Sequence, residues 1–283
     1  MILKHLSGNF KRYYAFFVLL LLFIGCCSSW CAGKVIVSQK DLGLIGDMVF
    51  FNECGEKLDL IVCWNEGEDF MSLGLGHFIW YQKDKDNRFE ESFPRLLNFI
   101  REKGRKIPVW LEDMERNGYP WKNRQELLQN LYKDDLAKLR RFLHDTLPLQ
   151  ALFLFERLND ALPKMLKVAA PDSGKNVEYQ FCRLANTPGG IYALVDYVNF
   201  KGEGVLQNES YNEVRWGLLQ VLENMCGRDR DISALNEFVL SAKKLLKQRV
   251  LNAPVGIDES RWLSGWGRRL DSYVDAFYVF GGG

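Results

Sequence analysis

Residues 38–81 decide the fold: Ser38-Gln-Lys-Asp-Leu-Gly-Leu-Ile-Gly-Asp-Met-Val-Phe-Phe-Asn-Glu-Cys-Gly55, Lys57-Leu-Asp-Leu-Ile-Val-Cys-Trp64, Asn65-Glu-Gly-Glu-Asp69 and Phe70-Met-Ser-Leu-Gly-Leu-Gly-His-Phe-Ile-Trp-Tyr81. Ser38 with Asp41 has the pattern of a capping pair that opens a helix. Leu42, Ile45, Met48 and Val49 follow at helical spacing. Gly55 should end the helix, because glycine enters the left-handed conformation without a steric penalty. The last turn then delivers Asn52, Glu53 and Cys54. Beyond it Leu58, Leu60, Val62 and Trp64 alternate with Lys57, Asp59 and Cys63, which is a strand period. Asn65–Asp69 is a turn, and Phe70–Tyr81 is a second extended stretch. Residues 56–81 thus read as a small β-hairpin region.

The rest of the chain reads as helical. Ser92-Phe-Pro94 starts a helix that Gly104 ends. Arg124 to His144 carries Leu127, Leu131, Leu136, Leu139 and Phe142 on one face, and Thr146-Leu-Pro148 caps the next helix. Pro188-Gly-Gly190 precedes an apolar helix from Ile191 to Phe200. Tyr211–Met225, Ile232–Leu251 and Ser260–Phe280 complete the set. Residues 170–178 form the best internal loop, without the character of a domain boundary. The expected fold is α+β and mainly α-helical, with one domain over 34–283.

Composition narrows the function. The 283 residues are 47% hydrophobic and 26% charged, enough apolar material for a core. Lys+Arg 37 against Asp+Glu 36 leaves no basic excess to hold a phosphate backbone, so nucleic acid is not an expected partner. Three histidines are too few for a multi-histidine metal site, and no GxSxG, HExxH or phosphate-cradling loop is present. No metal or cofactor is expected.

At the N-terminus Lys4, Lys11 and Arg12 precede an apolar run from Ala15 to Ile24. At about 1.5 Å per residue such a run covers roughly half of a bilayer core, so 1–25 reads as a secretory signal rather than an anchor. Phe23-Ile-Gly-Cys26 has the form of a loose lipobox, in which Cys26 would carry lipid and attach the protein to a membrane. Ordinary cleavage near Ala32-Gly33 is the other reading. The expected location is exported, periplasmic or lipid-anchored to a bacterial membrane. Cys54, Cys63, Cys182 and Cys226 remain beyond the leader, an even number for an oxidising compartment. Disulfides are expected, with Cys54–Cys63 as one candidate pair.

Glycosidic cleavage needs a carboxylic acid kept protonated near neutral pH, and a glutamate at the end of an apolar helix facing a hairpin offers one. Glu53 fits, with Val49, Phe50 and Phe51 before it. A helix-end glutamate, an acidic turn and Ser72-Leu-Gly-Leu-Gly-His77 together resemble the lysozyme-like superfamily, in its phage-type branch. The resemblance implies a lysozyme-like helical domain that cleaves a β-1,4-linked amino-sugar polymer, with peptidoglycan as the polysaccharide partner. It makes Glu53 the general acid and Glu66 the second acid, with Glu68 and Asp69 competing for that place. Ser72 stands for the family's water-positioning threonine and His77 for its strand-end histidine, both in substrate binding. Trp216-Gly-Leu-Leu-Gln220 is similar to a strand motif of goose-type lysozymes and lytic transglycosylases. That similarity adds Gln220, and Glu203 upstream of it, as substrate-binding residues. Tyr81, Trp110, Trp121, Trp262 and Trp266 are candidates for stacking on sugar rings. Two rivals stand beside this reading. One is a non-catalytic envelope protein that binds glycan or supports wall assembly. The other is a Cys–His peptidase built from Cys54 or Cys63 with His77.

Overall fold

The computed structural model describes residues 34–281 except 56, 86–89 and 208–209. The leader read over 1–25, with Cys26, Cys27 and Cys31, lies outside the described residues. Helix α1 spans Gln39–Cys54 and begins as its cap requires: the Ser38 hydroxyl accepts the Asp41 backbone N–H at 3.0 Å. Gly55, at φ 55°, closes it by donating its N–H to the Phe51 carbonyl. Ile45 and Val49 turn inward.

After α1 the chain differs from the expected long strand. Lys57 donates to the Cys54 carbonyl and Leu60 to the Lys57 carbonyl, which winds Leu58–Ile61 into a 3₁₀ turn. Only Val62–Cys63 remains as strand β1. The stretch 70–81 is not one strand either. Gly74 at φ 72° and His77 at φ 49° reverse it, giving β2 (Phe70–Leu73) and β3 (Phe78–Tyr81). The sheet therefore has three antiparallel strands in the order β1-β2-β3, with Cys63 opposite Ser72 and Ser72 opposite Ile79.

Among the described residues ten further helices follow: α2 (Phe93–Glu102), α3 (Val109–Asn117), α4 (Arg124–Gln129), α5 (Asp134–Asp145), α6 (Leu147–Val168), α7 (Pro171–Ala185), α8 (Gly190–Lys201), α9 (Leu218–Glu223), α10 (Ile232–Leu251) and α11 (Leu263–Val279). The predicted helix 124–144 is two helices, because Asn130 closes α4 with bonds to the Glu126 and Leu127 carbonyls. Residues 170–178 are helix and not loop. Pro171 opens α7 at a position where no backbone N–H is needed and φ is already helical. Most of 211–225 is not helical: Tyr211 and Val214 pair as an isolated bridge, and only Leu218–Glu223 forms a helix. The expectation for 232–251 matches α10. No helix among the described residues is long and apolar enough to cross a membrane.

Helix α8 is the centre of the packing. Tyr192, Ala193, Leu194, Val195, Tyr197 and Val198 are all buried, as for a helix apolar on every side. Its entry is tight. A Cβ on Gly190 would lie 1.9 Å from the Leu184 carbonyl oxygen, and one on Gly189 would lie 2.7 Å from the Ala276 backbone. Only glycine lets α7 and α11 approach α8 so closely. The fold is thus α+β and mainly helical, with one core running from the sheet through α8 to α11.

Gln150, fully buried on α6, fixes the turn between β2 and β3. Its Oε1 accepts the Leu75 N–H at 2.7 Å, and its Nε2 donates to the Leu143 carbonyl at 2.7 Å and to the Thr146 hydroxyl at 2.9 Å. Gln150→Leu leaves the buried Leu75 N–H without its partner, while the Leu143 carbonyl keeps the Thr146 N–H and hydroxyl. The expected loss is about 1–3 kcal/mol for the orphaned group, read as a lower urea midpoint at unchanged slope. An unchanged midpoint would show that the turn does not depend on this side chain.

Candidate active site

Glu53 occupies the last turn of α1, at the end of the helix where backbone carbonyls gather and an anion is disfavoured. Three side chains offset this. Arg269 on α11 donates from Nη2 to Oε1 at 2.6 Å. Asn199 on α8 donates to the same oxygen at 3.0 Å. His77 Nδ1 lies 3.3 Å from the other oxygen, Oε2. Arg269 is held in turn by a two-pronged bond to Asp196, at 2.8 Å from Nε and 2.8 Å from Nη2. Tyr273 donates its hydroxyl to the same carboxylate at 2.5 Å. Asp196 and Asn199 lie three apart on α8, and Arg269 and Tyr273 four apart on α11, so each pair shares a helix face. Glu53, Arg269, Asp196 and Tyr273 form one chain of charge-assisted bonds across three helices.

Burial, the largest influence on Glu53, pushes its carboxyl up, as the apolar wall suggested. The Arg269 charge, then His77, and the bonds from Arg269 and Asn199 together outweigh it, and the carboxyl is held below its ordinary range. The expectation of a raised carboxyl is thereby corrected. In this state Glu53 is an ionised carboxylate at neutral pH.

The acidic turn separates its candidates. Glu66 is exposed at the tip of 65–69. Glu68 is half-buried, and its carboxylate accepts from the Asn65 amide at 3.0 Å. Burial raises the Glu68 carboxyl, the Asn65 hydrogen bonds oppose that, and Asp69 adds to it. Glu68 and Glu53 both act on Cys63, whose thiol is pushed up to about 11 by burial and then by these two acids. Glu68 is the turn acid whose charge acts on the Cys63 thiol.

Cys54 and Cys63 are free thiols, as is Cys226, and Cys182 is disulfide-bonded. The expected Cys54–Cys63 pair is not formed. Instead both sulfurs approach Nε2 of His77, at 3.7 Å from Cys54 and 3.8 Å from Cys63. The layout is that of a thiol, an imidazole and a carboxylate in line. Burial, followed by Glu53 and Cys63, takes the Cys54 thiol up to about 12. Both sulfurs are thiols at neutral pH, and either would have to pass its proton to His77 to act as a nucleophile. Ser72 is buried and its hydroxyl bonds to Cys63.

The hydrogen bonds of the second motif go to other partners. Gln220 accepts the Gly217 N–H at 3.1 Å and donates to the Gly204 carbonyl at 3.0 Å. It ties two backbone segments that touch, since a Cβ on Gly217 would lie 2.2 Å from the Gly204 nitrogen. Trp216–Gln220 opens α9 and is not a strand. Glu203 pairs with Lys164 at 2.8 Å. Both residues have partners other than the Glu53 cluster. Among the aromatic candidates, Tyr81 and Trp121 are buried in the core and Trp262 is exposed. Trp266 packs against Phe200, whose ring also carries the Arg269 guanidinium at 4.3 Å.

Arg269, Asn199, Asp196 and Tyr273 were not identified from sequence. One signal existed: Asp196 is the lone acid in the apolar run 191–200, and a buried charge requires a partner. No group of three or more His, Cys, Asp or Glu side chains among the described residues is placed to hold a metal ion. Two concavities, one beside Thr187 and Tyr192 and one beside Gln82 and Glu115, do not include Glu53. No protein-family model, curated protein or solved structure matches the chain.

Proposed function

We propose that the chain is an exported, lysozyme-like glycoside hydrolase acting on a β-1,4-linked amino-sugar polymer, with peptidoglycan as its substrate. The observation that carries this reading is Glu53: a helix-end carboxylate beside a three-stranded antiparallel sheet, held by Arg269, Asn199 and His77. Two carboxyls whose surroundings push them in opposite directions divide acid from base. Glu68, raised by burial, is suited to protonate the leaving glycosidic oxygen. Glu53, held ionised, is suited to take a proton from the attacking water or to face the positive charge that develops on the sugar. This reverses the roles that the resemblance implies, and Glu66 is left without one.

An aryl glycoside of the same sugar with a strongly acidic phenol as leaving group separates the two roles, because its departure needs no proton. Glu68→Gln is expected to lower cleavage of the natural glycan by about a hundred- to ten-thousand-fold and to leave the aryl glycoside nearly unaffected. Sparing of the aryl glycoside in Glu53→Gln instead would make Glu53 the acid.

The ion pair with Arg269 also favours a second reading, in which the fold binds glycan or supports wall assembly and cleaves nothing. A zymogram on cell-wall substrate decides between them: clearing supports the hydrolase, and binding without clearing supports the second reading.

A further inference from the structure

Lys201 ends α8, two residues beyond Asn199, and is only partly exposed. Its Nζ sits 4.1 Å from the Phe200 ring centre and 3.6 Å from the Trp266 ring centre. The Arg269 guanidinium lies over the same Phe200 ring at 4.3 Å. Lys201 is therefore one aromatic ring away from the group that holds Glu53. The neighbouring cations have acids of their own. Arg269 has Glu53 and Asp196, and Arg249 binds Glu259 with both prongs of its guanidinium, at 2.7 and 2.5 Å. Lys201 makes no ion pair or hydrogen bond with the described residues, and only ring faces accept its charge.

We infer that Lys201, between Phe200 and Trp266, forms a subsite for a carboxylate carried by the sugar polymer. This deepens the glycosidase reading and rests on it. A partly buried ammonium without a bonded counter-charge is costly, and an arriving anion lowers that cost. Burial first, then Arg249 and Arg269, press the Lys201 amine well below its ordinary value, while Glu259 and Glu53 act in the opposite sense. A ligand carboxylate beside Nζ would act with those two acids and hold the proton on. The rings add a further selection. An aromatic face accepts the C–H face of a pyranose, so a sugar and its acidic substituent can be bound together. A polymer bearing carboxylates is thus favoured over a neutral one of the same backbone.

The test uses the full chain carrying Glu53→Gln, so that ligand is bound and not consumed. Calorimetry compares a neutral N-acetylglucosamine hexamer with a hexamer bearing a lactyl-ether carboxylate on alternate sugars. The acidic hexamer is expected to bind about tenfold to a hundredfold more tightly, the gain of one charge-assisted bond. Adding Lys201→Met should erase that difference and leave the neutral hexamer's affinity unchanged. Lys201→Arg should retain part of it. A difference that survives Lys201→Met, or an equal loss for both hexamers, overturns the subsite. Equal binding of the two hexamers to the Lys201 protein overturns the subsite alone, whereas binding of neither removes the glycan reading as well. Inorganic phosphate that binds alone in a Lys201-dependent way and displaces the acidic hexamer makes this a free-anion site and overturns the polymer assignment. An unchanged melting temperature in the Lys201 variants ties any lost affinity to the ammonium.

Discussion

Glu53→Gln is expected to abolish glycan cleavage, with a loss of about a hundred- to ten-thousand-fold in rate, while the protein still folds. The substitution is nearly isosteric, and the amide oxygen can still accept from Arg269 and Asn199 at the positions the carboxylate uses, 2.6 and 3.0 Å away. It can neither take up nor release a proton at working pH. It also removes the anion that faces Arg269, leaving that guanidinium with Asp196 alone. Some loss of stability therefore accompanies the loss of activity. The stability term has a definite pH dependence. Because the folded carboxyl lies below its ordinary value of 4.5, its contribution is complete above that value and disappears as pH falls through the folded value. The variant should lose less than the parent on acidification. Full activity in Glu53→Gln, measured as release of reducing ends, would exclude the assignment at a stroke.

Arg269→Met is expected to cost about 3–5 kcal/mol, the scale found when one partner of a buried ion pair is removed. Met is close in length to the aliphatic stem, so the loss reports charge rather than volume. Asp196 is fully buried and would keep only the Tyr273 hydroxyl. Glu53 would keep Asn199 and His77. Burial, now less opposed, should lift the Glu53 carboxyl above its position in the parent. The linkage then weakens, and it changes sign if that carboxyl passes its unfolded value, after which stability falls as pH rises through the new folded value. Urea unfolding at several pH values reads both effects. A loss under about 1 kcal/mol would mean that the charge network is not what joins α1, α8 and α11.

The parts of this site that were legible in the sequence are the local ones. The cap at Ser38, the stop at Gly55 and the place of Glu53 at the helix end each rest on a rule that spans a few residues. Arg269 lies 216 positions from Glu53 and 73 from Asp196, separations that no periodicity or motif reports. The direction of the Glu53 carboxyl was misjudged for the same reason: the apolar wall is adjacent in sequence and the guanidinium is not. The single strand expected over 70–81 hid a turn, since alternation continues through Gly74 and His77 while the backbone reverses. Gln220 and Glu203 were read from a motif alone. Their residue types suit a binding motif, yet the side chains are engaged with Gly204, Gly217 and Lys164.

The ion pair between Glu53 and Arg269 also sets an order of events. Closing so long a loop is slow and entropically costly, and it follows the packing of the helices between. A chain that emerges from its N-terminus presents Glu53, His77 and both thiols long before α11 is made. Until α11 docks, Asp196 has no guanidinium and Glu53 has only Asn199 and His77, so the incomplete molecule lacks its buried cation. The helix that completes the core is thus the one that completes the charge network.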